Sequence, residues 1–140
     1  MEELKVVVDY ATLGILGVMS IIALAYGMER FFYFRSVKVE EFETKNRAEA
    51  QLTKNLTAIS VIGSNAPYVG LLGTVSGIMV VFYEIGQGGG LEPTQVVIGL
   101  SLALKATALG LLVAIPSIMI YSGCLRKVDL LMGEWEDARA

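Results

Sequence analysis

Three polar groups stand where an apolar helix would not ordinarily carry them. Thr74 lies in "GLLGTVSGIM" (Gly70–Met79), Thr107 in "ALKATALGLL" (Ala103–Leu112), and Lys105 just before the second threonine. A threonine hydroxyl donates one hydrogen bond and accepts others, so it can hold or orient a proton-bearing neighbour. It cannot itself take up and release a proton near neutral pH, as proton relays in membranes require. An ammonium within an apolar helix costs at least about 2.5–3.5 kcal/mol on insertion scales and marks a functional site by default. Glycines and alanines recur around both threonines, although each glycine in a soluble helix costs roughly 1 kcal/mol relative to alanine.

Helical spacing sorts these residues onto faces. At about 100° per residue, Gly73, Thr74 and Gly77 fall within about 60° of Gly70, and Gly63, Pro67, Val81 and Glu84 share that side. In the following segment Ala103, Gly110, Ala114 and Tyr121 fall within about 60° of Thr107, flanked by Gly99 and Ser117. Each segment therefore has one small-residue face with a single threonine. Two accounts fit. Small residues let membrane helices approach closely, with each threonine bonded to a carbonyl one turn back on its own helix. Alternatively, Thr74 and Thr107 line a shared polar path, and Gly70, Gly73, Gly77, Ala103, Gly110 and Ala114 are path-facing surfaces that receive a partner's helix. Lys105 lies about 160° from Thr107, on a side shared with Ser101 and Ala108. It reaches a carboxylate or water on a neighbouring subunit, or takes part in charge transfer. No Asp or Glu falls in the middle of an apolar segment: Asp9, Glu29 and Glu84 all read as lying near segment ends. A proton route through this chain would need a carboxylate from a partner.

The elements that must position these groups are three apolar segments, at about 10–28, 66–85 and 95–121. About 20 helical residues cross a bilayer core. Of the 140 residues 54% are hydrophobic and 18% charged, and the charges cluster in residues 1–9, 29–54 and 126–139. The chain reads as an all-α membrane protein, one domain over 1–140, with three transmembrane helices and long helical extensions. The first segment lacks the basic start and small-residue cleavage site of a signal peptide. Arg30, Arg35, Lys38, Lys45, Arg47 and Lys54 follow the first span, and Arg126, Lys127 and Arg139 follow the third. The positive-inside rule then places residues 30–56 and the tail, 124–140, in the cytoplasm and the N-terminus outside. Gly88, Gly89 and Gly90 break the second helix, and Pro93 suits the start of the third, so the last two spans form an antiparallel hairpin. The stretch "RSVKVEEFETKNRAEAQLTKNLTAIS" has no Gly or Pro and is expected to continue as helix. In the tail Val128, Leu131 and Trp135 recur at helical spacing.

The same inventory excludes several functions. A net charge of −3 does not suggest a nucleic-acid partner. With no His and one Cys, Cys124, neither a zinc nor a haem site has a ligand set, and no intrachain disulfide can form. There is no nucleophile–base set and no phosphate loop, so neither an enzyme nor a cofactor is expected.

Two stretches carry a resemblance. "APYVGLLGTVSGIMVVF" (Ala66–Phe82) and "GLSLALKATALGLLVAIPSIMIY" (Gly99–Tyr121) closely resemble the paired transmembrane signatures of the ExbB/TolQ family, related more distantly to the flagellar stator protein MotA. The resemblance implies a bacterial inner-membrane subunit that assembles as a homo-oligomer, a pentamer, around transmembrane helices of an ExbD-type partner. That partner would supply the titratable aspartate. The complex would use the proton motive force to energise a TonB-type protein, or, for a TolQ-type subunit, serve envelope integrity; a purely structural membrane scaffold is the competing reading. Thr74 and Thr107 would line the central path. The chain departs from the family pattern at Ser76, where Trp is usual, at Leu102, where glutamate is common, and at Lys105, where an apolar residue is usual. The cytoplasmic segment is also short for an ExbB.

Overall fold

The computed structural model describes residues 2–88, 90 and 92–140. Four α-helices follow one another: α1 (Glu2–Ser36), α2 (Lys45–Leu52), α3 (Leu56–Gly86) and α4 (Pro93–Ala138), with a 3-10 turn at Val39–Glu41 between the first two. Helices α1, α3 and α4 are long and apolar enough to cross a membrane, whereas the eight-residue α2 is not. The fold is thus an all-helical bundle with three candidate spans.

The hairpin between α3 and α4 follows from local chemistry. Gly88 (φ +69°) and Gly90 (φ +62°) adopt left-handed backbone, which glycine enters without a Cβ penalty. Gly89, also expected in this turn, lies outside the described residues. Glu92 and Gln95 then form a reciprocal capping box, and Pro93 occupies the first helical position, where its missing N–H costs nothing. α4 runs unbroken from there to Ala138, through all but the last two residues of the tail.

The stretch expected to continue as helix after the first span does not do so. α1 stops at Ser36, residues 37–44 hold only the 3-10 turn, and α2 is a separate short helix. Its start is fixed by Thr44, whose hydroxyl accepts from the backbone N–H of Arg47 at 3.1 Å. Tertiary packing overrides the helix propensity here. Phe34, Val39, Leu52, Leu56 and Ile59 meet Val128 and Leu131 of α4 in one buried cluster. Trp135 packs on the same cluster and donates its indole N–H to the Phe42 carbonyl at 2.9 Å. The chain between α1 and α3 therefore folds back onto the tail of α4. This apolar stripe of the tail is the one its spacing suggested.

One charged side chain ties this junction together. Arg30 at the end of α1 is 1% exposed. Its Nη1 donates to the carbonyls of Gln51 (2.6 Å) and Leu52 (3.3 Å), the last carbonyls of α2. Its Nε and Nη2 grip both Glu29 carboxylate oxygens at 2.5 Å, and its guanidinium lies over the Tyr33 ring at 4.2 Å. Glu29 also accepts from Asn55, whose left-handed backbone (φ 70°) links α2 to α3. The Arg30 guanidinium holds the Glu29 carboxyl below the usual carboxylate range, chiefly through these hydrogen bonds.

Candidate functional site

The two threonines meet. Thr74 Oγ1 donates to the carbonyl of Ala103 on the facing helix at 2.8 Å, and lies 2.5 Å from Thr107 Oγ1. A hydroxyl has one proton. With that of Thr74 committed to Ala103, the bond between the hydroxyls takes its proton from Thr107. Thr107 Oγ1 is left with acceptor capacity. Thr74 is 6% exposed and Thr107 is half-buried, so any donor from outside the subunit meets Thr107 first. The threonine bond to a carbonyl one turn back, expected on the packing account, gives way for Thr74 to a bond between helices.

The small residues make this approach possible. A Cβ on Gly70 would stand 2.6 Å from the Ala106 carbonyl oxygen and 3.1 Å from the Gly110 Cα. One on Gly110 would stand 2.7 Å from the Ala66 carbonyl oxygen, and one on Gly77 2.7 Å from the Ala103 Cβ. Ala114 is buried with Leu16 and Ala66. Gly70, Gly73, Gly77, Ala103, Gly110 and Ala114, expected as path-facing surfaces, instead pack helix against helix within one chain. Spacing along a helix shows which residues share a face but not what that face meets.

α1 covers one side of this seam. Thr12, 7% exposed, packs against Gly73, where a Cβ would stand 3.0 Å from its Cγ2 and 2.8 Å from the Ala106 Cβ. Thr74 and Thr107 each follow these contacts by one residue, about 100° round their helices. For an antiparallel pair that step carries both to the same side of the seam, the side away from α1. Lys105 takes the other side and shares a cleft with Asp9 and Thr12 of α1. Thr12, Glu29, Arg30 and Asn55 were not singled out as site residues by sequence. Arg30 registers there only as a flanking positive charge, and Thr12 not at all.

Comparison with known proteins gives a consistent result. The profile of the MotA/TolQ/ExbB proton channel family matches residues 36–137, which takes in α2, α3, both threonines and nearly all of α4. The chain is 52% identical over 136 residues to "Biopolymer transport protein ExbB" of Aquifex aeolicus (strain VF5), covering 97% of this chain and 92% of that protein. It is 50% identical over 131 residues to the protein of the same name from Helicobacter pylori (strain J99 / ATCC 700824), covering 94% and 90%. "Tol-Pal system protein TolQ" of Pseudomonas aeruginosa is 37% identical over 90 residues, 64% of this chain and 39% of that protein.

Proposed function

Because the chain belongs to the MotA/TolQ/ExbB proton channel family, we propose that it is the proton-channel scaffold subunit of an ExbB–ExbD-type motor. Members of this family are transport or channel proteins, and family and helices together make this a multi-pass inner-membrane protein. On the present reading several copies, five by the resemblance, surround transmembrane helices of an ExbD-type partner. The partner's aspartate carries the proton that no hydroxyl can carry. The N-terminus faces the periplasm, and the cluster around Arg30 and the tail of α4 lie in the cytoplasm, as the lysines and arginines require. The complex then energises a TonB-type protein for uptake across the outer membrane.

The observation that carries this reading is the unused acceptor on Thr107, at the rim of the seam that α1 leaves uncovered. A protonated carboxyl donates a hydrogen bond and an ionised one cannot. Thr107 can therefore accept from the partner's aspartic acid and loses that bond when the proton leaves. Such a contact distinguishes the two protonation states, which a proton-driven motor needs. The TolQ-type role is the alternative, and differs in partner rather than in chemistry.

The test replaces each threonine with valine, which keeps the shape and removes the hydroxyl. Energised iron–siderophore uptake in cells should fall with Thr107→Val. Undiminished uptake with both threonines replaced would overturn the proposed role and leave a purely structural scaffold. A chain that co-purifies with Tol-type rather than ExbD-type partners would move the assignment to the TolQ reading.

A further inference from the structure

Asp9 and Lys105 face a common cleft of about 130 Å³ between α1 and α4, with Thr12 in its wall and Leu13, Leu102 and Leu109 around it. Its depth follows from the packing. Gly73 touches both Thr12 and Ala106, so these three residues share one level of the bundle. Asp9 is about one turn from Thr12, and Lys105 is the neighbour of Ala106. With α4 starting at Pro93, Lys105 lies about 18 Å of helix rise inside that helix. The expected first span, 10–28, leaves Asp9 outside the membrane. Beside α4, Asp9 instead stands level with residues well inside the expected third span, 95–121, within about a turn of Ala106.

Both side chains are exposed on the outside of the bundle, a surface that meets lipid or another copy. A lone charge there is costly, and two of opposite sign at one level compensate each other. Apolar walls strengthen that attraction by lowering the local dielectric. Among the described residues the direct ion pairs are Glu29–Arg30 and Lys45–Glu136, so Asp9 and Lys105 meet across the cleft rather than in contact. Asp9, Thr12 and Lys105 place polar groups in an otherwise apolar cleft that is roomy enough for bridging water.

We propose that Asp9 is the counter-ion of Lys105, the two charges sharing a hydrated cleft within a single subunit. Lys105 is then satisfied by its own chain, and its partner is not a neighbouring subunit's carboxylate. The pair also pins α1 to the hairpin on the side opposite the threonines.

The experiment uses the full chain in mild detergent and reads folded yield and thermal midpoint. Asp9→Asn and Lys105→Met should each lower both, because each strands one charge. The double variant should recover most of the loss, and so should the exchange of Asp9→Lys with Lys105→Asp. If a single variant yields no folded protein, recovery in either double still supports the pair. Losses that simply add in both doubles would overturn it, as would single variants indistinguishable from the parent. The readout is stability rather than uptake, so failure here leaves the proposed function standing.

Discussion

Thr74 and Thr107 have the same side chain but unequal work. Thr74 makes two hydrogen bonds within the subunit and Thr107 makes one. Interhelical hydrogen bonds in membranes average about 0.6 kcal/mol, so Thr74→Val should cost roughly 1–2 kcal/mol of stability and Thr107→Val less. Uptake should show the opposite order for each folded copy, with Thr107→Val the more damaging. Thermal unfolding of the purified chain set against uptake per folded copy separates the two effects. Arg30 gives a second prediction. Removing its hydrogen bonds to the end of α2 with Arg30→Met should cost about 1.5–3 kcal/mol, the range for bonds to charged groups. Its partner Glu29 sets a pH dependence. The folded-state value lies below the ordinary 4.5, so its contribution is fully present above pH 4.5 and is lost as pH falls through the folded value. The thermal midpoint should be insensitive to Glu29 from neutral pH down to that point and decline below it. Glu29→Gln should flatten that acid limb.

The hairpin depends on glycine in some places and only tolerates it in others, which gives a prediction with a change of sign. Gly70 meets backbone, the Ala106 carbonyl oxygen, which cannot move aside without separating the helices. Gly70→Ala should therefore destabilise by about 1–3 kcal/mol, as overpacking does. Gly133, in the interior of α4, has nothing within 4 Å of where its Cβ would stand. Gly133→Ala should stabilise by roughly 1 kcal/mol, the helix-propensity difference. Thermal midpoints of the two variants check both signs. Elements of this kind were largely legible in the amino-acid order. Three apolar runs, the Gly88–Gly90 turn and Pro93 sufficed for three helices and a hairpin. Two things were not legible, for physical reasons. Thr44 and the contact of Val39 with Val128 and Leu131 interrupt a stretch whose residues favour helix, and that contact is long-range. The level of Asp9 depends on how α1 slides against α4, which long-range contacts fix, Thr12 and Ala106 meeting at Gly73 and Gly27 meeting Ile120.

Most of the molecule's apolar surface has no partner within one chain. Only 17% of the α1 and α4 span windows and 33% of that of α3 is buried inside the subunit. Lipid can cover such surface without cost, so exposure alone does not require a second copy. On the proposed function the threonine pair does. It lies at the rim of the seam, on the side α1 leaves open, and one seam makes a single wall rather than a path. A central path needs several such walls facing inward, with the Asp9–Lys105 side of each subunit turned away from the centre. The purified chain should therefore give a closed homo-oligomer by native mass spectrometry in mild detergent, with five copies expected from the family resemblance. Co-expression with an ExbD-type subunit should add that subunit's mass without changing the count. Thr107→Val should leave the subunit count unchanged, since on the proposed function Thr107 faces the path and the small residues of α3 and α4 already pack within each subunit. A single-copy mass under conditions that preserve uptake activity would overturn the enclosed path, and with it the reason for Thr107 to face outward.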